Sequence, residues 1–359
     1  MVTLFVNLWK KYTLKMNNKS TIITRSPLRV GLAGGGTDIK SYYTKYSGSV
    51  INFAIRKYHY IKLTPSKNKY FEYSNQNNSK SYKFLFDEIK HDKKDDFCLI
   101  SSSILYFVQK YSLPVHYFDI SIYSDAPRGS GLGASSSLVV GILSCLSKFY
   151  GIDLNNIDIA EQAYEIEREL LELDGGFQDQ YVASFGGLNF IEFTQNDEVI
   201  VCPLLLDSDT KFHFESHFIS FFTGISRDSE SIIKDQRNSI SEEKKMSLMN
   251  DLKLNSVEMK NAILLKNFNK IPEILNNGFK IKKKISNKVS NRFLDNIINE
   301  IFEEGVMGCK ISGAGGGGYI TCYIKPENRG GLINYLNKNK FDYFDCLIHE
   351  EGIQSYIDK

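Results

Sequence analysis

The 359-residue sequence predicts an α+β protein built in two lobes. Two observations carry this expectation. Strand-like and helix-like stretches follow one another without strict βα alternation, which argues against a doubly wound parallel sheet. Three glycine clusters, Gly34–Gly36, Gly129–Gly133 and Gly313–Gly318, stand near the start, middle and end of the chain, each against an extended stretch.

Thr21–Ala33 has strand character interrupted by Pro27, since proline has no N–H for a ladder. It runs into Gly34-Gly35-Gly36 and a helical segment to about Tyr46. Ser49–Ile55 and Tyr58–Thr64 are rich in β-branched and aromatic residues and predict two strands joined as a hairpin. Residues 65–95, rich in Asn, Lys and Asp, predict surface loops around an edge strand, and Phe97–Tyr111 has helical periodicity. Val115–Ser124 alternates at period two as a strand does, and Leu138–Tyr150 is an apolar, buried helix. Ile157–Leu173 has helical spacing, Gly175-Gly176 interrupts it, Gln178–Phe185 resumes a helix, and Gly186-Gly187 precedes the strand Leu188–Phe193.

The second half begins near residue 210. It carries the strand His217–Thr223 and helices over roughly 228–240, 243–266 and 291–304. The strand Tyr319–Ile324, the helix Arg329–Asn339 and a last strand Tyr343–His349 follow. The expected division is an N-terminal extension over 1–20, with Met16 as an alternative start, a first domain over 21–208 and a second over 209–359.

Composition narrows the function classes. Charged residues make up 24% and apolar residues 42%, an ordinary globular balance. A net charge of +2 supplies no field for nucleic acid or a membrane surface. The six cysteines (Cys98, Cys145, Cys202, Cys309, Cys322, Cys346) are scattered without a Cys-x-x-Cys pair, so reduced core thiols are expected. No stretch is long enough for a transmembrane span, and Met1–Trp9 lacks the basic region of a signal peptide. A soluble, cytoplasmic protein is the expectation.

Chemistry concentrates in Pro127-Arg-Gly-Ser-Gly-Leu-Gly-Ala-Ser-Ser-Ser137, between strand and helix. Glycines let backbone N–H groups approach a ligand closely. The first turn of the following helix then turns unpaired N–H groups and the positive end of its dipole on an anion. Serine hydroxyls there can meet phosphate oxygens or Mg²⁺. Neither Gly-Lys-[Ser/Thr] nor Gly-x-Gly-x-x-Gly is present in the loop, so it is neither a Walker A loop nor a dinucleotide fingerprint.

Taken together, Ser26-Pro-Leu-Arg-Val-Gly-Leu-Ala-Gly-Gly-Gly-Thr-Asp38, the central loop and Lys310-Ile-Ser-Gly-Ala-Gly-Gly-Gly-Gly318 resemble the three motifs of the GHMP kinases, in order and across nearly the whole chain. The Gly-Gly-Gly-Thr-Asp form replaces the Gly-Glu-His-Thr-Asp of galactokinases. It resembles the branch acting on D-glycero-D-manno-heptose 7-phosphate, with relatives of fucokinase. Tyr164-Glu-Ile-Glu-Arg168, Gly176-Phe-Gln-Asp-Gln-Tyr181, Thr223-Gly-Ile-Ser-Arg227 and Lys282-Lys-Lys-Ile-Ser286 add to this resemblance.

The resemblance implies a first lobe like ribosomal protein S5 domain 2, a ferredoxin-like second lobe, and ATP with Mg²⁺ as cofactors. It implies phosphoryl transfer to the anomeric hydroxyl of the heptose phosphate, feeding nucleotide-activated heptose for surface glycans. The implied cradle is Pro127, Arg128, Gly129, Ser130, Gly131, Leu132, Gly133, Ala134, Ser135 and Ser136, with Ser135 and Glu167 on the metal. Asp179 stands at the base position and Arg29 beside the transferring phosphoryl. Gly35, Gly36, Thr37, Asp38, Gly176, Gly315 and Gly316 face the sugar, and Arg227, Lys282 and Lys283 are candidates for its distal phosphate. Each has a plainer alternative: helix caps for Asp38 and Asp179, a surface ion pair for Arg29, solvated faces for the glutamates and lysines. The six histidines fall outside every motif and are expected to be structural. A small sugar phosphate, and at most a second copy of the chain, are the expected partners. An unphosphorylated sugar such as L-fucose, galactose or a hexosamine is the nearest alternative substrate. A sugar and nucleotide sensor without activity, or an interaction scaffold, are alternatives of another class.

Overall fold

A computed structural model of the chain describes residues 20–94, 97–225 and 243–358. The first lobe runs through β1 (Thr21–Ala33), α1 (Lys40–Tyr46), β2 (Gly48–Pro65), β3 (Phe71–Asn75), β4 (Lys80–Phe84), α2 (Cys98–Lys110) and β5 (Phe118–Ser124). It continues through α3 (Ala134–Tyr150), α4 (Asn156–Tyr164), α5 (Gln178–Phe185), β6 (Leu188–Phe193) and β7 (Val199–Pro203). The second lobe holds α6 (Ser208–His217), β8 (Phe218–Phe222), α7 (Glu243–Leu264), α8 (Ile271–Ile285), α9 (Arg292–Glu303), β9 (Val306–Ile311), β10 (Tyr319–Ile324), α10 (Arg329–Lys338) and β11 (Tyr343–Asp345).

The sheet of the first lobe follows the path β12-β1-β2-β5-β3-β4, where β12 is Gln354–Asp358, with β6 and β7 continuing from the other end of β2. β2 is one strand of 18 residues, not the hairpin pair that its sequence predicts. Pro27 pairs with Tyr58 and Leu28 with Ile55, so Arg56-Lys57 bulges out where the proline interrupts the neighbouring ladder. The expected turn is a bulge. Residues 65–95 are also more ordered than expected. They form the β3–β4 hairpin, and β3 runs parallel to β5.

Helix α3 packs its apolar face on this sheet, where Ile142, Leu146, Ile61, Leu63 and Phe118 are fully or almost fully buried. Each such side chain contributes roughly 1.5–3 kcal/mol on leaving water. The four-stranded antiparallel sheet β11-β8-β10-β9 forms the second lobe's core with Leu294, Ile301 and Leu332. A third cluster crosses between lobes, with Leu28, Val30 and Phe53 against Phe214, Phe218, Ile271 and Tyr319.

The chain's last described strand, β12 (Gln354–Asp358), leaves the second lobe and pairs antiparallel with β1, from Thr21↔Asp358 to Arg25↔Gln354. Residues 354–358 therefore belong to the first sheet, and the expected division at 208/209 does not hold for them. The expected helix over 228–240 lies outside the described residues. All six cysteines are free thiols, five of them buried. Among the described residues no helix is long and apolar enough to cross a membrane.

Candidate active site

The loop between β5 and α3 uses its glycines as their spacing suggests. Gly129, Gly131 and Gly133 have φ of 76°, 78° and 74°, so each alternate position sits in the left-handed region, where a side chain would be strained. Gly133 caps α3 without a side-chain cap, which leaves the first-turn N–H groups of the helix for an anion. Ser130 and Leu132 face inward and are fully buried. The Ser130 carbonyl accepts from Tyr319 N at 3.0 Å, and that of Leu132 accepts from Arg29 N at 3.0 Å. These two residues anchor the loop to both lobes.

Beside the loop a cavity of about 630 Å³ is lined by Pro127, Arg128, Ala134, Ser135, Tyr73, Tyr82 and Phe97, among others. Its rings and amides suit a purine and ribose. The two tyrosines lie in the stretch read as surface loops and carry no motif, so the sequence offered no signal for them.

On the other side of Gly133 lies the charged centre. Arg29 grips Asp179 bidentately, Nε to Oδ1 at 2.7 Å and Nη2 to Oδ2 at 2.9 Å. Its Nη1 also donates to the Gly131 carbonyl. A Cβ on Gly133 would stand 3.2 Å from Arg29 Cγ and 3.3 Å from Asp179 Cγ. The pair is therefore locked to the cradle and is not a surface ion pair, since the Arg29 side chain is only 6% exposed.

Arg29, Asp179 and Asp38 line a second cavity, with Gly35, Gly36 and Gly176. Asp38 Oδ1 accepts from Gly36 N at 3.0 Å, and its Oδ2 accepts from Gln178 Nε2 at 3.0 Å. Asp38 does not cap α1, whose N-cap is Ile39, but its Oδ2 also accepts from the N–H of Gln178, the first residue of α5, at 3.3 Å. Thr37, its neighbour, was expected at the sugar. Its hydroxyl instead donates to the Ser49 carbonyl at 2.8 Å and is fully buried. Thr37 holds the loop.

Glu167 lies in a π-helical turn, Glu165–Leu170, that continues α4; such turns redirect side chains at functional sites. It alone of the glutamates in this stretch is fully buried. Gln180 Nε2 donates to its Oε2 at 2.6 Å. Burial raises its pKa, opposed by Arg168, Ser136 and Gln180. Ser136 lies close enough to favour the charge, yet Oε1 has no hydrogen-bond partner of good geometry. A buried, unpartnered carboxylate oxygen near the first turn of α3 fits a hard cation. Among the described residues no group of three or more His, Cys, Asp or Glu could hold a metal ion, so such a cation would lean on phosphate oxygens.

Cations ring the rest of the cavity. Lys282 Nζ donates to the Gly313 carbonyl at 3.1 Å, and a Cβ on Gly35 would lie 3.2 Å from it. Lys283 turns away to Asp295 at 2.8 Å and is 41% exposed. Adjacent residues on α8 point about 100° apart, so only the first of this lysine run reaches the cavity. Gly315 and Gly316 do not line it either. Gly316 N donates to the Val289 carbonyl at 2.7 Å, and Gly313 and Ala314 form the wall instead. Arg227 lies outside the described residues. Arg168 and Lys310, singled out for no role by the sequence, complete the ring.

A glycine loop that leaves a helix N-terminus open, a buried carboxylate beside it and an arginine-paired aspartate in an adjoining polar cavity suit the chemistry of an alcohol-acceptor phosphotransferase. The chain belongs to the GHMP kinase family. The family's N-terminal domain matches residues 99–187 and its C-terminal domain residues 259–340. The chain is 37% identical over 347 residues to a D-glycero-alpha-D-manno-heptose 7-phosphate kinase of Campylobacter jejuni, covering 94% of this chain and 99% of that one. It is 26% identical over 96% of its length to an L-fucokinase/L-fucose-1-P guanylyltransferase of Bacteroides fragilis, of which it spans 40%. The crystal structure of a D-glycero-D-manno-heptose 1-phosphate kinase from Bacteroides thetaiotaomicron superposes with a TM-score of 0.76 at 29% identity, over 93% of this chain and 98% of that one.

Proposed function

We propose that the protein transfers the γ-phosphoryl of ATP to the anomeric hydroxyl of D-glycero-D-manno-heptose 7-phosphate, giving heptose 1,7-bisphosphate and ADP. The observation that carries this reading is one cavity joining two carboxylates, Asp38 and Asp179, to Arg168, Lys282 and Lys310. Carboxylates accept from sugar hydroxyls, and the cations suit a phosphate on the same sugar. The 37% identical relative is named for that substrate.

In this reading the backbone of Gly129–Ser136 holds the ATP phosphates and the neighbouring cavity the nucleoside. Asp179 orients the anomeric hydroxyl and receives its proton. Arg29 fixes Asp179 through two hydrogen bonds and turns its positive charge toward the transferring group. Asp38, held by Gly36 and Gln178, takes sugar hydroxyls. Ser135 and Glu167 would hold Mg²⁺. The ion supplies charge neutralisation on the phosphates when bound.

The test compares ADP release with Mg·ATP on heptose 7-phosphate, unphosphorylated heptose, mannose 6-phosphate, L-fucose, galactose and mevalonate. Strong preference for heptose 7-phosphate is expected. Equal or better turnover of an unphosphorylated sugar would sink the substrate assignment while keeping the kinase. Glu167→Gln keeps the size of the side chain and removes its charge. The Mg²⁺ concentration for half-maximal activity should rise by about 10–100-fold, read by metal titration of the same assay. An unchanged titration would take Glu167 out of the metal site.

A further inference from the structure

We infer that Arg168 and Lys310 join Lys282 in reading the substrate's own phosphate, and that this phosphate, not the sugar ring, decides selectivity. The inference rests on the sugar-phosphate reading above.

Arg168 is nearly buried, with 13% of its side chain exposed. Among the described residues it makes one long hydrogen bond, Nε to the Gly176 carbonyl at 3.5 Å, and stands 3.7 Å from Glu167 Oε1. A guanidinium has five donors, so most remain unspent at the cavity wall. The backbone gives way to it: a Cβ on Gly175 would lie 2.4 Å from Arg168 Nη2. Lys310 is buried on β9, and among the described residues its Nζ reaches only the Leu32 carbonyl, at 3.4 Å. A buried ammonium so weakly held is costly unless an anion comes to it.

Charge balance selects the anion. Arg29 is neutralised by Asp179, and Asp38 already accepts from Gly36 and Gln178. The cavity wall carries Arg29, Arg168, Lys282 and Lys310 against Asp38 and Asp179, with Glu167 Oε1 3.7 Å from Arg168 Nη1, so cations outnumber carboxylates. A phosphate monoester carries about −1.5 to −2 at pH 7 and matches that surplus. A neutral sugar leaves it uncompensated.

The unliganded protein relieves the surplus at Lys310. Burial, then the positive charges of Lys282 on α8 and Arg29 on β1, push its pKa well below the usual lysine range. The remaining charged groups on the cavity wall are Arg168, Asp38 and Asp179. An arriving phosphate raises that pKa again, so binding takes up a proton, and affinity for the phosphorylated sugar weakens as pH rises.

The experiment measures kcat/KM for heptose 7-phosphate and for unphosphorylated heptose in wild type, Lys310→Met, Arg168→Gln and Arg168→Lys. Calorimetry of heptose 7-phosphate binding without ATP, in buffers of different ionisation enthalpy, gives the proton count. The selectivity ratio should fall by roughly 10- to 100-fold in Lys310→Met and Arg168→Gln, the worth of one charge-assisted hydrogen bond. Arg168→Lys should recover part of it, and the ATP KM should stay near wild type. Wild type should take up a proton and Lys310→Met none. Equal losses on both sugars, or undiminished proton uptake in Lys310→Met, would overturn the inference. Should Arg168→Gln fail to fold, Arg168→Lys and the calorimetry decide. A wild type indifferent to the phosphate overturns the substrate reading itself, and it shows before any variant is made.

Discussion

Asp179→Asn should lower kcat by about 10²–10⁴-fold, the range of a lost acid–base group, while ATP binding survives. Asparagine fits the same space but cannot take a proton, and its amide N–H₂ would face the Arg29 fork that now donates at 2.7 and 2.9 Å. The substitution therefore removes the proton acceptor and half of the bidentate pair together. The cradle should hold, because Arg29 N still bonds the Leu132 carbonyl at 3.0 Å and α3 keeps its own packing. Single-turnover kinetics and titration with a non-hydrolysable ATP analogue separate the two effects. A kcat close to wild type would remove Asp179 from proton transfer.

Gly176→Ala should be nearly as damaging, by collision. An added Cβ would lie 2.0 Å from Asp38 Oδ2 and 2.8 Å from the Asp38 carbonyl oxygen. Atoms cannot share that distance, so Asp38 must swing away and lose Gly36 N and Gln178. A misplacement of about 1 Å in a positioning group can cost 10²-fold, and kcat/KM for the sugar should fall by at least that order. The ATP KM should change little, since the cavity proposed for the nucleotide lies across Gly133. Sugar kinetics near wild type in a folded Gly176→Ala protein would show that Asp38 does not position the substrate.

Much of the candidate site is legible in the sequence because its parts are local. The alternation of Gly129, Gly131 and Gly133 is a backbone requirement, and all three have positive φ. Asp179 is far in sequence from Arg29 and Asp38, yet both stretches are glycine-marked motifs, and the structure places the three side chains around one cavity. What escaped was whatever depends on distant partners. A lysine run drew attention to Lys282 and Lys283 alike, but helical geometry sends one to the cavity and the other to Asp295. Lys310 stands in a strand whose other inward residues are apolar, and nothing local marks a buried lysine as a ligand. Arg168 closes the stretch Tyr164–Arg168, but only the π-helical turn brings its side chain over Gly175.

The fold shows the same division. Leu188–Phe193 matches its expected strand end to end, and α3 starts where the glycines stop. The bulge at Arg56-Lys57 was read as a turn because its cause, Pro27, sits on the neighbouring strand. The strand Gln354–Asp358 was missed because its partner lies more than 300 residues earlier and its pairing is set by the whole first lobe.

That last pairing orders events in time. Thr24 Oγ1 meets Ser355 Oγ at 2.8 Å, and Ser144 Oγ on α3 meets the same hydroxyl at 2.5 Å. The strand bearing Arg29 and helix α3 are thus both fastened by residue 355. During synthesis one edge of β1 stays unpaired until residue 358 has left the ribosome, and an open edge is a template for wrong partners. Closing a loop of this length comes late. A nascent chain holding every glycine motif would still have an unfinished sheet.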